Sequence, residues 1–313
     1  MSGPLALVVI TYGRQHLGRR LLDTLRDHPD RALIAEAVVV DNGFPAMGDS
    51  SALIDPAAYP FPVRFVQNTG SSYAQGINLG AAASSAPFIA VSNSDVEWLP
   101  GQSLAPIISY LREHHDAGIA GPQQVFPDGS WQRSYGPFPS LREGAAALLM
   151  SEVVRNGLAA RRHASGAGVG APRDVDYIDG AFFVVRRSCF EALGGMDAGF
   201  EFYAEDVDLS WRAARAGWRR VHVPEARIMH IRGASSKAVA SIAYIHRLFA
   251  AKARFLRQSA GPAHARIYDV MQRMVACEYA AIYSVIARLR PTPAWKRRAS
   301  MAVSAARAVL GGS

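Results

Sequence analysis

Residues 5–43 read LALVVITYGRQHLGRRLLDTLRDHPDRALIAEAVVVDNG, two apolar, β-branched runs with a helical stretch between them. LALVVITY (5–12) and AVVVDNG (37–43) are short, continuous and bounded by polar residues, the pattern of buried strands. Between them Leu17, Leu21, Leu22 and Leu25 recur at helical spacing. Strand, helix, strand predicts a βαβ unit with its strands parallel. The pattern continues outward. VRFVQNTG (63–70) and PFIAVSNSD (87–95) are further strands, and SSYAQGINLGAAASS (71–85) is a helix of small residues. The predicted fold class is α/β, a central, mostly parallel sheet flanked by helices.

In such sheets, ligands sit beyond the carboxyl ends of the strands. Polar residues collect there: Thr11 and Tyr12, then Asp41 and Asn42, then Asn68 and Gly70, then Asn93 and Asp95. Asp, Asn and Gly are also ordinary turn formers, but four polar ends on one edge make a candidate pocket. An Asp there can accept from the imide N–H of a base, and small residues opening a helix let phosphate approach backbone donors. GSSYAQGINLG (70–80) matches neither G-x-G-x-x-G nor the P-loop pattern. If extended geometry continues through Asn93-Ser94-Asp95, both outer side chains point to one side. Two oxygen donors so placed suit a hard divalent cation completed by phosphate and water. An Asx turn capping a helix near 103–115 accounts for them equally well.

YIDGAFFVVRRSCFEALGGMD (177–197) predicts a strand and a short helix stopped by Gly194 and Gly195. FEFYAEDVDLSWRAARAGW (200–218) follows, with Glu205, Asp206 and Asp208 at the start of another helix. Carboxylates favour the positive helix end, and Arg212 is spaced to pair with Asp208. That leaves Glu205 and Asp206 beside aromatic residues, where like charges repel unless a proton or a cation compensates them.

At 313 residues and 50% hydrophobic, the chain is long enough for one large domain with an appendage. Cys189 and Cys277 match no zinc or disulfide spacing, which suits a reducing cytosol. The opening MSGPLALVVITYGR has no basic segment ahead of a short apolar run, so no signal peptide is expected. No segment reaches the roughly 18 uninterrupted apolar residues of a membrane span. The net charge of +8 is uneven: residues 1–150 hold 9 Lys/Arg against 13 Asp/Glu, whereas residues 237–313 hold 13 against 2.

These motifs carry a resemblance. DGAFFVVRRSCFEALGGMDAGFEFYAEDVDLSWRAARAGWRRVHVPEARIMHIRGAS (179–235), with VVVDNG, NTGSSYAQGINLG and SNSD, resembles the family 2 glycosyltransferases with the GT-A fold, in their rhamnosyltransferase-like branch. The resemblance covers residues 5 to about 236. It implies a catalytic domain over 1–236; the basic helical region over 237–313 lies outside it. It implies that Asp41 contacts the nucleobase, that Thr11, Tyr12 and Asn42 line the nucleotide pocket, and that Asn68, Gly70 and Asn78 shape the donor side. Asp95 matches the last carboxylate of the family's D-x-D metal motif, with Asn93 where the first Asp often stands. His230 matches a position that can complete a Mg²⁺ or Mn²⁺ site; a strand-end histidine with one satisfied nitrogen explains it equally well. Asp206 matches the general base, with Glu205 beside it and Tyr203 and Trp211 on the acceptor side.

The implied reaction is inverting transfer of a sugar, with rhamnose favoured, from a nucleoside diphosphate to an acceptor hydroxyl. A thymidine diphosphate carrier is favoured, with uridine or guanosine diphosphate open. The acceptor is a glycan, a lipid-linked precursor or a small natural product. In the tail, SSKAVASIAYIHRLFAAKARFLR (235–257) and IYDVMQRMVACEYAAIYSVIARLR (267–290) are amphipathic, and WKRRASMAVSAARAVL (295–310) adds basic charge. They suit packing on the catalytic domain or in a homodimer, or docking on an anionic membrane. The expected location is cytoplasmic, with peripheral attachment to the inner membrane face as the alternative. A nucleic-acid partner is not expected, since no zinc-finger spacing or stacking motif accompanies the basic tail. A non-catalytic sugar-nucleotide scaffold and a nucleotidyltransferase are the competing classes.

Overall fold

The computed structural model describes residues 3–149, 170–200, 202–231 and 242–311. Strands β1 (Leu5–Thr11), β2 (Ile34–Asn42), β3 (Val63–Asn68) and β4 (Phe88–Asn93) are parallel, in the order β3-β2-β1-β4. Helix α1 (Gln15–Arg26) joins β1 to β2, α2 (Tyr73–Ala82) joins β3 to β4, and α3 (Ala105–Glu113) follows. The sheet continues from β4 through β10 (Phe182–Arg186), which is antiparallel to both neighbours. Beyond it lie β6 (Ala117–Val125), β11 (Arg219–His230) and, at the edge, β5 (Val96–Glu97). Strand β8 (Arg173–Asp174) pairs with β11, while β7 (Tyr135–Gly136) and β9 (Tyr177–Ile178) form a separate ribbon.

The apolar runs become strands because both faces of the sheet are covered. Leu5, Leu7 and Val9 pack with Leu21, Leu22 and Leu25, the helical stripe seen in the sequence. Val8 and Ile10 point the other way and pack with Val38, Val40 and Ile77. Fully burying each such large side chain stabilises the fold by about 1.5–3 kcal/mol. The small residues of α2 also have a physical reason: a Cβ on Gly80 would lie 2.4 Å from Val8 Cγ1, and one on Gly76 would lie 2.5 Å from Asn42 Oδ1. Only glycine lets α2 approach the sheet so closely.

The chain divides into two compact units. One holds the sheet and its helices, including α5 (Arg187–Ala192) and α6 (Glu205–Arg215). The other holds α4 (Leu141–Leu149), α7 (Ile242–Ala260), α8 (Pro262–Leu289) and α9 (Pro293–Leu310). The predicted boundary at residue 236 and the first residues of the predicted tail helix lie outside the described residues. Within the second unit Phe255, Leu256 and Tyr268 are buried, Lys252 Nζ pairs with Glu143 at 2.7 Å, and Tyr283 packs beside Trp295. Helix α8 also presents Ile267, Val270, Met274, Ile282, Val285 and Leu289 to solvent. Among the described residues no helix is long and apolar enough to cross a membrane.

Candidate active site

The carboxyl ends of β1, β2 and β3 form one connected polar edge. Asp41 is fully buried: Thr11 Oγ1 and Ser50 Oγ donate to its Oδ1 at 2.6 and 2.5 Å, and the Ser50 amide donates to Oδ2 at 2.8 Å. The carboxylate therefore fastens the loop after β2 to β1. Asn68 Nδ2 donates to Asn42 Oδ1 at 2.8 Å, Asn68 Oδ1 accepts from the Gly70 amide at 3.1 Å, and Asn42 Nδ2 donates to the Ser72 carbonyl at 3.3 Å. Ser72 then caps α2 through the Gln75 amide. Tyr12 stands exposed at the rim, and Asn93 is half-buried at the end of β4. Asn78 plays another part. Its amide donates to the Met196 carbonyl at 2.9 Å and its oxygen accepts from the Met196 amide at 2.8 Å. It ties α2 to the segment that leads into α6.

The chain does not stay extended through Asn93-Ser94-Asp95. It turns at Ser94 and Asp95, because β5 leaves in a new direction to pair with the end of β11, Val96 opposite His230. The Ile231 amide closes the turn on the Asp95 carbonyl at 2.9 Å. This pairing sets Asp95 Oδ1 3.5 Å from His230 Nε2, with the two residues 1% and 7% exposed. Helix α3 begins ten residues beyond Asp95, and its first amides are served by Asp30: the Leu104 amide and Ser103 Oγ donate to it at 2.7 and 2.5 Å. The Asx-cap alternative for residues 93–95 is thereby excluded.

The donor set at Asp95 fits a divalent cation. One carboxylate oxygen and one imidazole nitrogen lie 3.5 Å apart, slightly wider than the about 3.0 Å between adjacent ligands of an octahedral ion with bonds of about 2.1 Å, so a small closure brings both onto one ion. The described residues contain no group of three or more His, Cys, Asp or Glu that could hold a metal. A cation here would take its remaining ligands from water and phosphate, as Mg²⁺ commonly does.

Helix α6 presents the acidic pair. Gly194 and Gly195 stop α5 with φ of +73° and +76°. The chain then passes the buried Phe200, and Tyr203 and Ala204 adopt left-handed φ of +72° and +62° immediately before α6. Two consecutive non-glycine residues in that region are strained. Asp208 accepts from Arg212 Nε at 2.7 Å, and Arg212 Nη1 donates to the Leu193 and Gly195 carbonyls, so this pair braces the turn. Asp206 is half-buried; its Oδ2 accepts from the Gly180 amide at 2.7 Å and its Oδ1 from the Val207 amide at 2.8 Å.

Glu205 is 7% exposed, and its Oε2 has no hydrogen-bond partner among the described residues. Burial, then the charge of Asp206, raises its proton affinity well above the usual carboxylate range. Asp206 is raised for the same leading reason, then by Asp179, against the opposing pull of the Val207 and Gly180 amides. Such a pair holds a proton near neutrality, one answer to how adjacent carboxylates coexist. Tyr73 lies among them, its hydroxyl donating to the Gly180 carbonyl at 3.0 Å. Burial and the charges of Glu205, Asp206, Asp95 and Asp179 push its ionisation upward.

The structure thus gathers Thr11, Asp41, Asn42, Asn68 and Gly70 on one edge, Asp95 with His230, and Glu205 with Asp206. Trp211 sits farther along α6 under the Arg215 guanidinium, 5.0 Å from the ring centre, whereas Tyr203 packs edge-on against Phe202 at the turn. Sequence reasoning missed Asp179, Gly180, Tyr73, Gln124 and Gln132. Gln123 and Gln124 carried a signal, as polar residues inside the otherwise apolar run AGIAGPQQV of β6.

The chain matches the family described as "Glycosyltransferase like family 2" over residues 3–243. It is 30% identical over 246 residues to the N-acetylglucosaminyl-diphospho-decaprenol L-rhamnosyltransferase of Mycobacterium tuberculosis, spanning 74% of this chain and 76% of that protein. A 56-residue stretch, 18% of this chain and 21% of the relative, is 41% identical to rhamnosyltransferase WbbL of Escherichia coli. Among solved structures it is similar to the mannosyltransferase PcManGT from Pyrobaculum calidifontis in complex with GDP-Man and Mn²⁺, at a TM-score of 0.57 and 17% identity, covering 98% of this chain and 86% of that one. It is also similar to GalNAc-T7 with UDP, GalNAc and Mn²⁺, at 0.52 and 16%, covering 73% of this chain and 44% of that one.

Proposed function

This chain belongs to glycosyltransferase family 2 and has the GT-A fold, and on that premise we propose that it is an inverting transferase of a deoxyhexose, rhamnose, with Asp206 as general base. The observation that carries the proposal is the state of Asp206. It is half-buried, fixed by two amides and raised in proton affinity, the description of a base suited to a hydroxyl near neutral pH. Asp206 takes the proton of the acceptor hydroxyl as its oxygen bonds to the anomeric carbon. The bond from that carbon to the diphosphate breaks on the opposite face, and its electron pair leaves with the nucleoside diphosphate.

Asp95 and His230 would hold Mg²⁺ or Mn²⁺, whose charge, when bound, offsets the charge growing on the diphosphate. Thr11, Tyr12, Asp41, Asn42, Asn68, Gly70 and Asn93 frame the nucleotide and sugar side, and Asn78 holds the acceptor-side segment against it. Tyr203 offers a face to the acceptor, and Glu205, whose own proton affinity Asp206 raises, stands beside the base. The favoured donor is a thymidine diphosphate sugar, the carrier that the rhamnosyltransferase-like resemblance of the sequence implies. That relative's lipid-linked acceptor and the exposed apolar stripe of α8 favour a lipid-linked acceptor met at the inner membrane face. A homodimer through the same stripe is the competing use of it.

The test is thermal stabilisation by thymidine, uridine and guanosine diphosphate sugars, each with and without Mn²⁺. A donor at about 100 times its Kd adds about 2.7 kcal/mol. Selective, Mn²⁺-dependent stabilisation that Asp95→Ala abolishes is the expected result. No response to any donor would leave the proposed transfer without a donor and overturn it.

A further inference from the structure

His230 is held from behind by two glutamines. Gln132 Nε2 donates to the His230 carbonyl at 3.2 Å, which turns Gln132 Oε1 toward His230 Nδ1 at 2.7 Å. Gln124 Nε2 donates to Asp179 Oδ1 at 3.3 Å, which turns Gln124 Oε1 toward the same nitrogen at 3.2 Å. Each amide orientation is thus set by its own second bond. An amide oxygen carries no hydrogen, so Nδ1 must be the donor in this pair. Both glutamines are buried, Gln132 at 2% and Gln124 at 0% exposure, so water does not compete for the contact.

A further layer fixes the glutamines. Gln123 Nε2 donates to the carbonyls of Gln124 and Gln132 at 2.6 and 2.7 Å, joining β6 to the segment that carries Gln132. Ser134 Oγ accepts from the Gln124 amide at 2.7 Å and donates to the Gln132 carbonyl at 3.1 Å. The imidazole consequently has little freedom to flip or to exchange its tautomer.

We infer that Gln132 and Gln124 are positioning residues that lock His230 as the Nδ1–H tautomer, directing the Nε2 lone pair at Asp95. A lone pair and a carboxylate oxygen 3.5 Å apart repel unless a proton or a cation lies between them. The lock therefore makes this pair a receptor for a cation before any substrate arrives. Gln124 has a second consequence. By holding Asp179 as well as His230, it connects the cation side of the cleft to the carboxylate whose charge raises Asp206. The tautomer lock stands on the hydrogen bonds alone; its use for Mg²⁺ or Mn²⁺ rests on the proposed function.

The experiment is ¹⁵N NMR of the full, metal-free protein labelled at histidine, with His230→Asn identifying the His230 signals. The expected spectrum has a proton on Nδ1, with or without a second on Nε2. A proton on Nε2 alone would overturn the lock, and this readout needs no glutamine variant to fold. Mn²⁺ affinity is then measured by water-proton relaxation. Gln132→Leu should weaken binding about 10–100-fold, the usual effect of losing an outer-shell partner of a histidine ligand, while Gln132→Glu, which still accepts from Nδ1, should restore most of it. Equal affinity in Gln132→Leu and the wild type would refute the positioning role. An Nδ1–H spectrum in a wild type that binds no Mn²⁺ would sustain the lock and defeat only the metal assignment.

Discussion

The carboxylate of Asp206 accepts the amide N–H of Gly180 at 2.7 Å, a bond between the first turn of α6 and the loop that opens β10. A Cβ on Gly180 would sit 3.2 Å from Asp206 Oδ2, close enough that the carboxylate would have to give by a few tenths of an ångström. This contact and the Val207 amide aim the carboxylate while leaving it only partly buried.

Asp206→Asn retains the shape and at least one of these amide bonds but removes the base. Donor binding, read by thermal shift, should be unchanged, while single-turnover transfer should fall about 10²–10⁴-fold. Normal turnover by this variant would remove Asp206 from the mechanism.

The pH dependence follows from the raised affinities. A base must be ionised to act, so transfer should rise with pH through about 7, the value to which Asp206 is pushed up, and then level off. Stability runs the other way. The folded state holds protons on Glu205 and Asp206 that the unfolded chain releases near pH 4, so their contribution is complete below about 4 and is lost as pH rises toward 7 to 8. Glu205→Gln should therefore raise the Tm relative to the wild type above pH 8, by about 2–4 °C for each kcal/mol recovered. The gain should vanish by pH 4, and calorimetry at the two pH values decides it.

Gly80→Ala tests the packing of α2. Alanine is the better helix former by about 0.8–1 kcal/mol, yet its Cβ would press on Val8 Cγ1 at 2.4 Å inside a covered sheet. Overpacking of that kind costs about 1–3 kcal/mol, so urea denaturation should show a net loss of about 1–2 kcal/mol. A stabilised variant would show that α2 can move away from β1.

The exposed stripe of α8 is tested by Val270→Glu with Val285→Glu. If the stripe docks on an anionic bilayer, the wild type should co-sediment with vesicles of phosphatidylcholine and phosphatidylglycerol, less so at high salt, and the double variant should not. A wild-type dimer by light scattering that the substitutions dissociate, without vesicle binding, would give the stripe to a second copy of the chain.

Much of this was legible in the order of residues. The βαβ opening, the helical stripe of Leu17, Leu21, Leu22 and Leu25, and the glycine stop at Gly194 and Gly195 are local patterns with local physical causes, and all appear in the fold. The family could be recognised because its motifs are contiguous. The pairing of Asp208 with Arg212 was likewise legible, since helical spacing alone brings i and i+4 together.

What tertiary structure decided is which distant side chains meet. Asp95 lies beside His230, 135 positions away in the chain, because the turn at Ser94 and Asp95 lets β5 pair with the end of β11. Asn78 serves Met196, and Gln124 joins His230 to Asp179, for the same kind of reason. Periodicity encodes which face of a strand or helix is buried, but not which strand becomes its neighbour. That choice is made by packing of the whole sheet, and with it the proton affinities of Glu205 and Asp206, since burial and the charge of a residue elsewhere in the chain exist only once the fold has formed.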